Sequence, residues 1–150
     1  MARFSAAFRS TGAGSATLPL GSLYATAGVR PRLVELGVFN STAVAVVVAV
    51  VRLSAGTGTQ GAAITEVYED DPAQTSIAQC FNTHTVTPTT IGAAIRQASL
   101  GAAIGSGIIW TFGGGKTPGL VIPNATTDAI GVIIPTGTGQ ICDLSFTWDE

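Results

Sequence analysis

The chain has 150 residues and a formal net charge of −2 at pH 7, and only 11% of its residues are charged. This length is typical of a single domain, and a near-zero charge without any basic cluster argues against a nucleic-acid-binding surface. Ordinary soluble domains carry roughly 25% charged residues, so the composition predicts that much of the surface contacts other protein. The abundance of Gly, Thr, Val and Ala predicts an all-β fold with many turns.

Residues 1–28 are rich in Ala, Gly, Ser and Thr. Their opening, MARFSAAFRS, lacks the continuous apolar core of a secretory signal because Arg9 interrupts it early. We therefore expect synthesis and folding in a reducing cytoplasm, where Cys80 and Cys142 stay free thiols. We predict that residues 1–28 form an extended N-terminal arm that lies on a neighbouring subunit. The predicted contact residues of this arm are Phe4, Phe8, Leu18, Leu20, Leu23 and Tyr24.

The stretch PRLVELGVFN, residues 31–40, alternates as a strand does. Val34, Leu36 and Val38 share one predicted face, and Leu33, Glu35 and Phe39 share the opposite face. This carboxylate stands among apolar residues, so we predict either a buried or interfacial ion pair or an exposed position on the sheet. The candidate partners for the ion pair are Arg32, Arg52 and Arg96.

The run from Ala43 to Val51 contains nine small or branched apolar residues, six of them valine. A membrane-spanning helix needs about 20 apolar residues, so we expect no membrane segment here. Valine favours strands, and Asn40-Ser41-Thr42 before the run predicts a hairpin turn from the preceding strand. The bulkier face of this strand suits the core, and the smaller face suits another sheet or another subunit.

The middle of the chain is predicted as a short strand over 62–68 followed by a long polar surface loop over 67–90, with a short strand near 80–86. The segment 91–105 has some helical spacing, but its glycines favour a strand. Hairpin turns are predicted at GGGKTPG and over 136–140.

About eight strands at short spacing predict an antiparallel two-sheet β-sandwich, a jelly roll, over residues 29–150. A short strand is expected at LVIP, and the last strand, from Cys142 to Trp148, alternates most strictly. The inward side chains predicted in the later strands are Ile108, Trp110, Phe112, Ile130, Val132, Ile134, Cys142, Leu144, Phe146 and Trp148.

Four patterns suggest chemistry, and each of them is incomplete. Gly115-Lys116-Thr117 ends like a phosphate-binding loop, but Trp110 stands where that motif needs glycine. The single histidine, His84, has no Gly-x-Ser-x-Gly nucleophile motif beside it, and with the two cysteines it lacks the paired spacing and fourth ligand of a zinc site. Glu69-Asp70-Asp71 lacks the alternating oxygen ligands of a calcium loop. We predict no catalytic, metal or cofactor site, and therefore no enzyme.

Four stretches of the sequence are similar to a known family: RPRLVELGVFNST, GTQGAA, GAAIGSGIIWTF and IGVIIPTGTGQICDLSFTWDE. They span most of residues 30–66 and 91–150, and they resemble small jelly-roll structural proteins of tailed bacteriophages. Within that group the size resembles a capsid decoration protein. The resemblance implies a homotrimer on the capsid exterior of the virion, assembled in the host cytoplasm, that stabilises the head by contacts with the major capsid protein. Its motifs mark strands, so it assigns no contact residue.

Other functions fit the same patterns. The alternative to a decoration protein is a phage tail or fibre module that binds a host-surface glycan through its loops, and a cellular trimeric jelly-roll binding domain is a third hypothesis. The leading hypothesis remains a non-enzymatic virion component, with no nucleic-acid or membrane partner.

Overall fold

The structure is a computed structural model that describes residues 2–26, 28–70, 74–113 and 119–150. The prediction of an all-β fold is confirmed, since the regular elements of these residues are strands. The strands are β1 Arg3–Arg9, β2 Gly21–Tyr24, β3 Arg32–Asn40, β4 Val46–Ser54, β5 Ala63–Ile64, β6 Val67–Tyr68, β7 Gln79–Phe81, β8 Thr90–Leu100, β9 Gly107–Thr111, β10 Leu120–Val121, β11 Ala129–Ile133 and β12 Cys142–Asp149.

The strands form two antiparallel sheets. Sheet A has the order β10-β3-β12-β1-β6, with β9 also paired to β3, and sheet B has the order β5-β7-β2-β11-β4-β8. Without the short strands β5, β6, β7 and β10, the sheets are β9-β3-β12-β1 and β8-β4-β11-β2, and β1 to β4 alternate between them. This is the arrangement of a jelly roll, so the predicted architecture is confirmed. The short strands raise the strand count above eight by extending the sheet edges.

The main core lies between the two sheets. Phe4 of β1 stacks on Trp148 of β12 with ring centroids 6.0 Å apart, and Phe8 stacks on Phe146 at 6.2 Å. The inward alternation predicted for β9, β11 and β12 is confirmed, because those side chains lie in this core or pack against it. The strand favoured for the ambiguous segment 91–105 is present as β8.

The predicted N-terminal arm is wrong. Residues 3–9 form β1, which pairs with β12 from Arg3 opposite Asp149 to Arg9 opposite Asp143. β2 lies inside sheet B, between β7 and β11. Neither strand was predicted, because small residues separate the larger side chains in this part of the sequence. Every second residue of β1 nevertheless points into the core. The described residues before residue 29 therefore belong to the sandwich.

Several predicted connections also differ from the structure. β3 and β4 lie in different sheets, so residues 41–45 cross between sheets instead of closing a hairpin, and residues 134–141 cross in the same way. The strand predicted over 62–68 is two short strands, β5 in sheet B and β6 in sheet A. Turn residues bend the chain without specifying which strand pairs next, so hairpins and crossings have similar sequences. The turn predicted at residues 114–118 lies outside the described residues.

A bulge shifts the alternation of β3. Glu35 lies opposite Thr147 and Leu33 lies opposite Trp148, which makes Val34 the extra residue. Leu33 is consequently 0% exposed in the main core together with Leu36, although the alternation predicts these two residues on opposite faces.

The connection between β4 and β8 covers the outer face of sheet B. A second apolar cluster lies beneath it, formed by Tyr24, Ala49, Val51, Leu53, Ala129 and Ile133. The Tyr24 hydroxyl donates to the Thr57 carbonyl at 3.2 Å, and Thr59 bridges to Val86. Ala49 and Val51, at the end of the smaller face of the valine strand, therefore pack within this chain. Within the surface loop predicted over 67–90, the short strand at Cys80 is confirmed as β7. The prediction is wrong for residues 82–84, because they are buried.

Candidate functional site

Four connections lie together at one end of the sandwich: residues 10–20, 41–45, 101–106 and 134–141. They follow β1, β3, β8 and β11, whose pairing directions carry the chain toward the same end. We refer to this surface as the uncharged end, because none of its residues is charged. The opposite end is made by residues 25–26, 28–31, 65–70 and 122–128 with Arg3 and the last two residues of the chain, and it is referred to as the charged end.

Hydrogen bonds join neighbouring connections of the uncharged end. The Ser41 hydroxyl donates to the Ile141 carbonyl at 2.6 Å, and the Thr42 hydroxyl donates to Gln140 Oε1 at 2.7 Å. The Ile134 N–H donates to the Ser15 carbonyl at 3.1 Å, which ties the fourth connection to the first. The surface is therefore held in one arrangement by neutral hydrogen bonds.

Asn40 is the joint between two of these connections. Its Nδ2 donates to the carbonyls of Val44 at 2.6 Å and Gly101 at 3.1 Å, and its Oδ1 accepts from the N–H of Thr42 at 3.0 Å and lies 2.9 Å from the Thr42 hydroxyl oxygen. The residue is 1% exposed, so these bonds are sheltered from water. The turn chemistry that predicts a hairpin here instead builds a crossing between sheets.

Close backbone packing joins the first and fourth connections. A Cβ added to Gly139 would overlap the carbonyl oxygens of Ala13 and Gly14. Only glycine permits this approach, so the contact adds to the rigidity of the uncharged end.

The uncharged end exposes apolar side chains. Ile104 is 75% exposed and Val44 is 50% exposed, and Ala43, Ala102 and Ala103 are exposed beside them in sequence. Exposed apolar residues without nearby charge are typical of the central part of protein–protein interfaces, where charged residues are depleted. This arrangement can bury apolar area against another protein, and it offers no group for acid–base chemistry.

The closest charged residues in the sequence neutralise each other. Arg9 ends β1 and lies opposite Asp143 of β12, and its guanidinium binds both carboxylate oxygens at 2.7 and 2.9 Å. The hydrogen bond from Arg9 holds the pKa of Asp143 below its usual value. The border of the uncharged end therefore carries a closed ion pair instead of a net charge.

The residues predicted as arm contacts lie mostly inside this chain. Phe4, Leu20, Leu23 and Tyr24 are at most 3% exposed, so a neighbouring subunit cannot reach them. Their assignment as interface residues is wrong because β1 and β2 belong to the two sheets. Phe8 is half-buried against the main core. Leu18 is half-buried in the first connection, and it is the one residue of the set that lies at the uncharged end without being fully buried.

Glu35 lies half-buried on β3, opposite Thr111 on one side and Thr147 on the other. The ion pairs in the described part of the chain are formed by Arg3 and Arg9. Glu35 therefore has no ion pair there with Arg32, Arg52 or Arg96. The second of its two predicted states, a carboxylate on the sheet surface, matches its position.

The candidate metal ligands lie apart. Cys80 points into the main core, whereas His84 stacks on Tyr24 of the second cluster, and Cys142 belongs to the other sheet. Burial raises the pKa of the Cys80 thiol and raises that of Cys142 to about 11. Among the described residues no three His, Cys, Asp or Glu side chains group as metal ligands. Asp71 and the Gly115-Lys116-Thr117 stretch lie outside those residues.

One polar pair is buried beside the uncharged end. His84 Nε2 lies 2.8 Å from Ser22 Oγ, and both residues are at most 2% exposed. Burial lowers the pKa of His84 to about 4, so its ring is neutral at pH 7. The backbone N–H of His84 donates to the Pro19 carbonyl at 3.0 Å, so this residue supports the first connection. Because both side chains of the pair are buried, a substrate cannot reach them.

The sequence reasoning missed the uncharged end although a signal for it exists. Each of its four connections lies inside a run without charged residues: 10–29, 36–51, 97–115 and 129–142. Uncharged runs of similar length also occur in the sequence outside these connections, for example over 53–65. The signal therefore becomes specific only after the topology brings the four runs together.

Comparison of the chain with protein-family models, curated proteins and solved structures found no match. Among the described residues there is no apolar helix of the length needed to span a bilayer.

Proposed function

We propose that this protein is a non-enzymatic structural protein that acts through contacts with other protein subunits. The observation that supports this proposal is the uncharged end, an ordered surface with exposed Ile104 and Val44 and no charged residue. A free protein surface of this composition favours association, because apolar area is exposed without charge to keep it hydrated.

The polar chemistry of the chain supports a structural function. The only histidine is buried next to Ser22 and loses its positive charge well below neutral pH. A nucleophile and a base must both reach the substrate, and these two side chains are covered by the chain itself.

The specific assembly that we propose is the head of a tailed bacteriophage. The protein would be a capsid decoration protein that lies as a homotrimer on the capsid exterior and stabilises the head by binding the major capsid protein. The resemblance of residues 30–66 and 91–150 to phage structural proteins supports this, together with the jelly-roll order of the strands. The fold alone is compatible with many functions, so the resemblance carries the phage assignment.

A binding assay with capsids tests the proposal. The purified full chain is mixed with heads assembled without it, and co-sedimentation and a low-resolution particle map record where it binds. Saturable binding to the head exterior and a rise in the temperature of head disruption are expected. Failure to bind heads, combined with binding to bacterial cells, would replace the proposal with the fibre hypothesis.

A depression on the outer face of sheet A favours that second candidate. It has a volume of about 290 Å³ and is lined by Ala7, Phe8, Phe39, Asp143, Leu144 and Ser145. The Phe39 ring offers an apolar face, and the ion pair of Asp143 with Arg9 offers polar atoms beside it. Such a combination suits a sugar ring of a host-surface glycan. Loss of cell binding on Phe39→Ala, with head binding unchanged, would support the glycan function.

A further inference from the structure

We infer that the uncharged end binds a second copy of this chain, so that the rotation axis of a homo-oligomer passes through or beside this surface. The inference rests on the proposed structural function and adds the surface on which copies meet. Three observations support it: symmetry brings identical charges together near a rotation axis, the charged residues lie away from this surface, and the four connections are rigid.

Symmetric association brings identical residues close to one another near the rotation axis. A charged side chain near the axis therefore meets its own copy, and like charges in contact cost several kcal/mol. The four connections of the uncharged end contain no charged residue. Copies of the chain can therefore meet through these four connections without bringing like charges into contact, whatever the rotational symmetry of the oligomer.

The charged end would behave in the opposite way. Glu66 and Glu69 lie beside Asp70 in residues 65–70, and Asp70 accepts hydrogen bonds from the Arg3 N–H at 3.0 and 3.1 Å. Two copies that met there would bring these carboxylates together. Repulsion of this kind disfavours self-association at the charged end while it leaves the uncharged end free to pair.

Rigidity favours the same surface. Asn40 spans two connections, and the Ser41 and Thr42 hydroxyls hold a third. Association lowers the entropy of every segment that must become ordered, so a surface already held in one conformation binds more tightly for the same buried area. The exposed Ile104 and Val44 then contribute their burial with little loss of backbone freedom.

Charge insertion with a matched control tests the inference. Val44→Glu and Ile104→Glu place a carboxylate at the uncharged end, and Val67→Glu makes the same chemical change at a residue of the charged end that is 61% exposed. The mass of each purified full chain is measured by sedimentation equilibrium over a range of concentrations. Both variants at the uncharged end are expected to weaken self-association by about ten-fold or more. Val67→Glu should leave it unchanged, and unchanged circular dichroism shows that each variant is folded.

A mixing experiment identifies the contact as one between copies. Ile104→Glu and Ile104→Lys are each expected to associate weakly alone, and their equimolar mixture should recover the oligomer, because opposite charges then meet near the axis. Recovery that disappears at high salt supports the inference. A mixture no more associated than either variant alone would contradict it.

Two further outcomes separate this inference from the proposed function. A wild-type chain that stays monomeric at all concentrations, but binds heads in a way that Ile104→Glu abolishes, overturns the inference and supports the function, since the uncharged end would then face the capsid. An oligomer that Ile104→Glu dissociates, and that ignores heads, supports the inference and removes the head function.

Discussion

The two ends of the sandwich both expose apolar side chains, but only one of them places charges among them. Val67 is 61% exposed at the charged end, and Ile104 is 75% exposed at the uncharged end. Val67 lies in a segment with three carboxylates, whereas Ile104 lies between glycines and alanines. The comparison indicates that an exposed apolar residue marks a contact surface only when its neighbours also lack charge.

The ends are also held together by different bonds. At the charged end the Glu150 carboxylate accepts hydrogen bonds from the Ser76 hydroxyl, the N–H groups of Ile77 and Ala78 and the Trp148 Nε1–H, at 2.7 to 3.0 Å. At the uncharged end the neutral amide of Asn40 has the equivalent role. Salt should therefore weaken the charged end more than the uncharged end.

Removal of residues 1–28 should have the largest effect, because it affects both ends. It deletes β1 and β2 from the interior of their sheets and takes the first connection from the uncharged end. We expect residues 29–150 alone to remain unfolded, so that circular dichroism shows no cooperative thermal transition. A soluble fragment with a cooperative transition would show instead that this segment is dispensable to the sandwich.

Asn40→Ala should be the most damaging single substitution at the uncharged end. It leaves three hydrogen-bonding groups without their partner, the carbonyls of Val44 and Gly101 and the N–H of Thr42, and at about 1 kcal/mol for each the free energy of unfolding should fall by about 3 kcal/mol. The control is Asn124→Ala at the charged end, where an exposed amide oxygen accepts from the Gly28 N–H and the loss should stay below about 1 kcal/mol. Urea denaturation measures both. Equal losses would mean that the two ends do not differ in rigidity.

The sequence predicts the strands better than their arrangement. The alternation of β11 and β12 is local, so their inward side chains could be identified without knowledge of the fold. The sheet to which a strand belongs depends on distant partners, which is why Asn40-Ser41-Thr42 predicts a hairpin and the structure has a crossing. The bulge at Val34 also depends on pairing with β12.

The candidate site was harder to predict than the fold. The large side chains of the first 28 residues were predicted to contact another subunit, but most of them are buried within this chain. The uncharged end instead consists of small, polar or singly apolar residues that are unremarkable one by one. Its distinguishing property is a collective absence of charge, which exists only once four distant connections meet.

Mild acid should weaken the uncharged end through His84. The ordinary pKa of histidine is 6.5, and burial lowers that of His84 to about 4. Between these values the unfolded chain binds a proton that the folded chain does not, so stability is constant above pH 6.5 and falls as the pH drops toward 4, by up to about 3 kcal/mol. Urea midpoints at pH 7 and 4.5 measure this loss. His84→Gln, which has no proton to bind, should show a much flatter profile, and an unchanged slope in that variant would assign the effect to other groups.

Salt should produce the smallest difference between the ends. At the charged end, Arg3 binds both oxygens of Asp149 at 2.8 and 3.0 Å, but the Arg3 side chain is 44% exposed. Exposed ion pairs contribute about 0–1 kcal/mol, and salt screens them. Asp149→Asn should therefore lower the free energy of unfolding by no more than about 1 kcal/mol in dilute buffer, and the deficit should shrink in concentrated sodium chloride. The deficit of Asn40→Ala should persist there, because its lost bonds join neutral groups and Asn40 itself is buried. Denaturation of both variants at two salt concentrations makes the comparison, and a salt-sensitive deficit in Asn40→Ala would show that hidden charge contributes to the uncharged end.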